Sequence, residues 1–144
     1  MTLKTLKCKV TDLKYTPTRA HHGDAGLDLM AAENALLYPG DRQAVDTGVS
    51  MEIPEGYVGL VCARSGNAAR RGIGMVNGVG VIDSGYRGTI NAILINHGRD
   101  NVTISRGDRI AQLLIVPIET PGVEIVDRLS DSERGTGGLG STGR

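Results

Sequence analysis

The residues of this chain whose types and spacing suit chemistry are mostly suited to holding a phosphate. Arg134-Gly135-Thr136-Gly137-Gly138-Leu139-Gly140-Ser141-Thr142-Gly143-Arg144 combines what an anion site requires. Glycines let backbone N–H groups approach an anion closely, Ser141 and Thr142 add hydroxyl donors, and Arg134 supplies a fork of charged ones. That inventory fits a terminal phosphate. The spacing Gly135-x-Gly137-x-x-Gly140 matches the letters of a dinucleotide fingerprint, but such a loop lies between a strand and a helix, with an acidic residue about 20 positions later. None of that context is present, so the dinucleotide reading is rejected.

A second anion-binding segment is Ala63-Arg64-Ser65-Gly66-Asn67, which closes one strand and opens a short helix. Arg64, Ser65 and the free N–H groups of the first helical turn would converge there, and helix N-termini bind anions. Taken alone, the segment reads more simply as an ordinary Ser cap beside a surface Arg. Gln112 interrupts the apolar run Ile110-Ala111-Gln112-Leu113-Leu114-Ile115-Val116. A buried amide left unsatisfied costs roughly 1–3 kcal/mol, so Gln112 has a partner, either backbone or a ligand oxygen. Gly23-Asp24-Ala25-Gly26-Leu27-Asp28-Leu29 places two carboxylates on one short segment, suited to a hard cation or simply to a turn.

In Val81-Ile82-Asp83-Ser84-Gly85-Tyr86-Arg87-Gly88 an acid, a flat ring and a cation lie between apolar strand-formers. Asp, Ser and Gly make a tight turn, with Gly85 free to take positive φ. Asp83 and Tyr86 exceed what a turn requires. By itself the segment reads as a hairpin with a solvated Asp and a half-buried Tyr.

The elements that must position these residues are strands. Glycine is high at 21 residues, the aromatics are four Tyr with no Phe or Trp, and β-branched and Leu side chains fill most apolar positions. About ten short apolar segments recur between turn signals: KCKVTDL, GLDLMA, ALLY, RQAVDTGVSMEI, GYVGLVCA, GMVNGVGVID, GTINAILI, NVTIS, DRIAQLLIVPIE and GVEIVD. Strands this short and evenly spaced predict an all-β sandwich or barrel. Helix is expected only over Ser65–Arg71, with Asn67 as its cap. After Asp127 the composition turns polar and glycine-rich, with five glycines and one apolar side chain in residues 134–144, so the tail cannot build a core.

The 144 residues make one domain, with formal net charge zero and no basic field for nucleic acid or a membrane surface. Cys8 and Cys62 are too few for a disulfide framework, and His21, His22 and His97 have no partner at zinc-ligand spacing. No signal peptide and no apolar run approaching the roughly 18 residues of a membrane span is evident, so the expectation is an intracellular, cytoplasmic protein with small-molecule partners.

Five segments of compatible chemistry, in this order, closely resemble the five motifs of the trimeric deoxyuridine triphosphatases (dUTPases). They are AGLDL at 25–29, RSG at 64–66, GVIDSGYRG at 80–88, GDRIAQL at 107–113 and RGTGGLGSTG at 134–143. The resemblance implies a jelly-roll-like β subunit, residues 1–128, with a flexible C-terminal lid, residues 129–144, that completes a neighbouring subunit's site. It implies a homotrimer with three shared active sites, and conversion of dUTP and water to dUMP and pyrophosphate with Mg²⁺.

By the same match Asp83 activates the water that attacks the α-phosphorus, and Tyr86 lies beneath the deoxyribose and excludes a 2′-hydroxyl. Uracil is read by the backbone of a hairpin over 77–83, including Gly80, Val81 and Ile82, with a contact from Asn77. Arg64, Ser65 and Gly66 hold the phosphate chain, Gln112 the α-phosphate and Asp28 the Mg²⁺ through water. Asn91 is a further substrate contact, and Arg134 clamps the γ-phosphate, with Leu139, Gly140 and Ser141 in the lid.

Two positions depart from the family pattern. Ala63 stands where many relatives have Pro, and Leu139 where relatives commonly have Phe, sometimes His, over the uracil. Two other functions share the resemblance: a dCTP deaminase of the same fold, which the complete VIDSGYRG segment and glycine tail disfavour, and a nucleotide-gated regulatory protein with a protein partner, as in phage relatives.

Overall fold

The computed structural model describes residues 5–143; the outermost parts of the two expected regions, residues 1–4 and Arg144, lie outside the described residues. The chain is all-β with one short helix. Its strands are β1 (Lys7–Val10), β2 (Leu27–Met30), β3 (Ala35–Leu37), β4 (Arg42–Asp46), β5 (Val49–Glu52), β6 (Tyr57–Cys62), β7 (Ile73–Met75), β8 (Gly80–Ile82), β9 (Asn91–Asn96), β10 (Val102–Ile104) and β11 (Arg109–Pro117), with α1 (Ser65–Arg71) between β6 and β7.

They pair into a four-stranded sheet of order β2-β11-β6-β8, a three-stranded sheet β4-β9-β7 and two-stranded pairs β1-β5 and β10-β3. Every ladder is antiparallel. None of these sheets closes on itself, so of the sandwich and barrel expected from strand spacing the jelly-roll-like sandwich is found.

Alternation of side chains across the pleat builds the core. In β9 every second residue, Ala92, Leu94 and Asn96, is buried, and β6 and β11 contribute Val61, Ala111 and Leu113. With no Phe or Trp, the interior is made mostly of Leu, Ile, Val and Ala with Met51 and Met75, and Tyr15 is buried with them. Among the described residues two polar side chains are fully buried, and both are satisfied. Asn96 donates through Nδ2 to Leu37 O (3.0 Å) and Asp100 O (2.8 Å), and Thr47 donates to Ile90 O (2.6 Å).

Four local expectations are corrected. The run 42–53 is two strands, because Gly48 turns the chain at φ +68° and Asp46 Oδ1 accepts from its N–H. The run 74–83 is likewise divided: β7 pairs with β9, whereas β8 pairs with β6. Residues 77–83 are therefore a turn plus an edge strand rather than a self-paired hairpin. GVEIVD forms no strand in the single chain, and Val123 and Ile125 are 94% and 95% exposed. The cap of α1 is Arg64, without a side-chain cap bond, while Asn67 lies inside the helix and donates to Arg109 O at 2.9 Å. No helix among the described residues is long and apolar enough to cross a membrane.

Candidate active site

The sequence-selected residues fall into two clefts and a tail. The first cleft, about 280 Å³, is lined by Asn77, Gly80, Val81, Ile82, Asp83, Tyr86, Thr89, Ile90, Asn91 and Ile93. Its wall is β8, the outer strand of the four-stranded sheet, whose backbone is paired on the β6 side alone. An edge strand presents a row of N–H and C=O groups able to pair with something else. The turn after β8 is closed by Tyr86 N donating to Asp83 O (3.1 Å) and fastened by Arg87, which donates to Ser84 O (2.7 Å) and Tyr86 O (3.0 Å). Gly85 does not take positive φ here, contrary to the expectation for the turn. The Asp83 carboxylate is exposed and has no hydrogen-bond or ion-pair partner among the described residues.

Tyr86 is anchored beside it. Its hydroxyl donates to Thr89 O at 2.9 Å, and Asn91 donates to the same carbonyl at 3.2 Å. Both groups thus converge on the connection to β9, which is fixed in the core by fully buried Ile90, whose N–H donates to Val49 O (2.7 Å).

The second cleft, about 360 Å³, is lined by Ala20, Asp24, Ala25, Gly26, Asp28, Arg64, Ser65, Gly66 and Gln112. Arg64 does not float on the surface as a simple cap would. Its Nε donates to Asp28 Oδ1 at 3.0 Å, and the other Asp28 oxygen lies 3.7 Å from Arg109 Nη1. The Asp28 side chain is only 13% exposed and is matched by two guanidinium groups, so its charge is compensated within the protein. The Gln112 amide has a backbone partner, Nε2 donating to Ala63 O (2.9 Å), which leaves its second N–H free. Its Oε1 occupies the space a side chain at Gly26 would need. Asp24 is engaged in its own loop, accepting from His21 N at 2.9 Å.

Sequence reasoning gave no role to Arg109, Gly26 or Gly88. A β-bulge between Arg109 and Ala111 separates Arg109 from the regular register of β11 against β2, and nothing in the local sequence marks it. His21, His22 and His97 are exposed, and no metal-binding group of three or more His, Cys, Asp or Glu occurs among the described residues.

Arg134, Leu139, Gly140 and Ser141 line neither cleft. The hydrogen bonds of residues 132–143 join residues three apart, such as Arg134 Nε to Gly137 O (2.9 Å) and Ser141 N to Gly138 O (3.0 Å). Leu139 is fully exposed. The tail therefore carries its donors without lodging them in this chain.

The two clefts lie at opposite ends of one strand. Ile82 pairs with Gly59, so Asp83 follows the ladder toward the start of β6, whereas Arg64 follows its end. Six residues of extended chain separate the levels of Asp83 and Arg64, about 20 Å at ~3.3 Å per residue.

The family model for dUTPase matches residues 13–143. The chain is 54% identical over 122 residues to the deoxyuridine 5′-triphosphate nucleotidohydrolase of Anaeromyxobacter sp. (strain Fw109-5), covering 85% of this chain and 83% of that one. The structure of the Staphylococcus bacteriophage 80alpha dUTPase with dUpNHpp, described in connection with phage dUTPases that control transfer of virulence genes, superposes with a TM-score of 0.92 at 33% identity, covering 99% of this chain and 100% of that one. A mutant dUTPase from phage phi11 of S. aureus, whose structure details the coordination of a structural Mg(II) ion, superposes with a TM-score of 0.81 at 30% identity over 88% of this chain and 99% of that one. A model match across both clefts and the tail, together with relatives this similar along nearly their whole length, places the chain in the dUTPase family.

Proposed function

We propose that this chain hydrolyses dUTP to dUMP and pyrophosphate, keeping uracil out of DNA and supplying dUMP for dTMP synthesis, in a homotrimer whose active sites are shared between chains. The observation that carries the shared site is the separation of Asp83 and Arg64 to opposite ends of β6. A water attacking the α-phosphorus and a cation on the adjacent phosphates must lie within a few ångströms of one triphosphate. One chain offers them about 20 Å apart along the strand direction, so the acid of one subunit serves phosphates held by another. The exposed apolar side chains of Val123, Ile125 and Leu129 support association, since covering each is worth roughly 1.5–3 kcal/mol.

The two carboxylates divide the work by their surroundings. Asp28 is committed to Arg64 and Arg109, whereas Asp83 has no partner among the described residues and is free to bind a water and take its proton as it attacks. Tyr86, held by Thr89 O, places its ring where a ribose 2′-hydroxyl would collide. The edge of β8 at Gly80, Val81 and Ile82 supplies backbone donors and acceptors to the edge of uracil, with Asn77 beside them. Cytosine presents the opposite donor pattern, and thymine adds a methyl. Asn91 contributes a polar contact at the same cleft.

Phosphates are held by Arg64, the backbone of Ser65 and Gly66 at the uncapped start of α1, and the free N–H of Gln112, which reaches the α-phosphate. Among the described residues no group of three or more metal-ligating side chains forms a cage, and the nearly buried Asp28 carboxylate, already paired with Arg64 and Arg109, would hold Mg²⁺ through a coordinated water. When bound, Mg²⁺ neutralises the charge that develops on the phosphate chain. Arg134 of a further chain closes on the γ-phosphate, bringing Leu139, Gly140 and Ser141 over the nucleotide.

The direct test is pyrophosphate release from dUTP with Mg²⁺, run beside UTP, dTTP and dCTP, with ammonia release from dCTP as the control for a deaminase. Hydrolysis confined to dUTP is expected, and ammonia from dCTP would replace the reading with the deaminase one. The regulatory reading rests on the phage relatives and would add a protein partner without altering these sites.

Leu139 gives a second expectation. An aromatic stacked on a base is worth roughly 1–3 kcal/mol, and Leu139 offers only apolar contact from a fully exposed position. Leu139→Phe should therefore lower KM or raise kcat for dUTP. Steady-state kinetics identical to wild type would remove the idea that this lid closes less tightly for want of a ring.

A further inference from the structure

We infer that Gly88 is a positioning residue for sugar specificity, because the space its missing Cβ would fill is occupied by the ring of Tyr86. A Cβ built at Gly88 would lie 2.5 Å from the Tyr86 hydroxyl oxygen, 2.6 Å from Cζ and 3.0 Å from Cε2. Carbon atoms do not approach so closely without displacement. Glycine is not needed here for its backbone, since Gly88 does not take positive φ. Its neighbour Gly85 makes the contrast: a Cβ there would meet nothing within 4 Å. What position 88 requires is emptiness on the side where the ring lies.

The ring spans that emptiness because it is tied at both ends. Its backbone N–H donates to Asp83 O, and its hydroxyl donates to Thr89 O at 2.9 Å, so the side chain arches over Gly88 between the catalytic turn and the start of β9. Tyr86 is 43% exposed, which leaves its side chain an outward path toward solvent. A methyl group at 88 would push it along that path and break the bond to Thr89, while the turn, fastened by Arg87 to Ser84 O and Tyr86 O, would remain. The inference rests on the proposed role of Tyr86 beneath the sugar and adds the feature that sets its height.

The test measures kcat/KM for dUTP and UTP in wild type, Tyr86→Ala, Gly88→Ala and the double variant, with thermal unfolding of each. Gly88→Ala should raise the UTP-to-dUTP ratio roughly tenfold or more, a change of about 1.4 kcal/mol in discrimination. Tyr86→Ala should do the same, and the double variant should match Tyr86→Ala, because the methyl then has no ring to displace. A relaxed ratio in Tyr86→Ala with an unchanged one in Gly88→Ala overturns the role of Gly88 and leaves the sugar reading standing. An unchanged ratio in Tyr86→Ala overturns the sugar reading itself. Should Gly88→Ala fail to fold, a folded double variant supports the collision, and an unfolded one shows that the glycine serves the backbone, against the inference.

Discussion

Replacing Asp83 by Ala should slow dUTP turnover by roughly 10²–10⁴-fold, the range a positioned general base contributes, while KM stays within a few-fold of wild type. The loss has no internal remedy. Among the described residues Asp83 is the sole carboxylate lining its cleft, and the Asp28 that another subunit would bring to the phosphates is already paired with Arg64 and Arg109, so no free acid stands ready to take the proton from the attacking water. Binding should survive because the base-reading edge of β8 and the phosphate contacts lie elsewhere. The fold should survive as well, since the turn is closed by backbone and Arg87 hydrogen bonds, none of which uses the Asp83 side chain. Asp83→Asn keeps the shape and a hydrogen bond to water but cannot accept a proton, and should be nearly as slow. Burst and steady-state pyrophosphate release check both variants, and wild-type turnover in Asp83→Ala would show that the base is another group.

Truncation before Arg134 should leave a folded trimer and remove nearly all turnover. Residues 118–143 form no helix or strand and contribute nothing to the buried core, whose last members lie in β11. The tail is thus expendable for stability. It carries Arg134 and the backbone N–H groups of five glycines, of which those of Gly135, Gly137 and Gly143 are engaged only in turns of the tail itself, donors that gain a charged partner when a triphosphate binds, and removing even one donor to developing charge typically costs 10²–10³-fold. Sedimentation and unfolding check the trimer; full activity of the truncated protein would end the lid argument. The same variants test the sharing of sites. In trimers reassembled from Asp83→Ala chains and truncated chains, some sites combine an intact acid from one chain with an intact tail from another, so activity should reappear. If mixed trimers remain as inactive as their parents, the site belongs to one chain.

Much of this chemistry could be read from residue types, because each cluster carries its chemistry locally. Gln112 had to have a partner and has one in Ala63 O. The errors are of one kind. Val123 and Ile125 have the composition of a strand, but a strand exists only against another edge, and this chain offers them none. Asn67 has a capping side chain, but Arg109 O, 42 residues away, claims it. Gly85 looked like the glycine that the turn needs for its backbone, whereas the crowded glycine is Gly88, which no turn rule marks.

The sequence by itself determined the inventory: an acid, a ring, two sets of guanidinium donors, a polar break in an apolar strand, and an all-β chain to carry them. Side-chain chemistry and strand propensity are local properties, so they could be read residue by residue. Tertiary structure alone decided their placement. The pairing of Ile82 with Gly59 sends Asp83 and Arg64 to opposite ends of β6, and the ion pairs of Arg64 and Arg109 with Asp28 commit one acid while leaving Asp83 free. Register and long-range ion pairs join residues dozens of positions apart, and no local pattern encodes them.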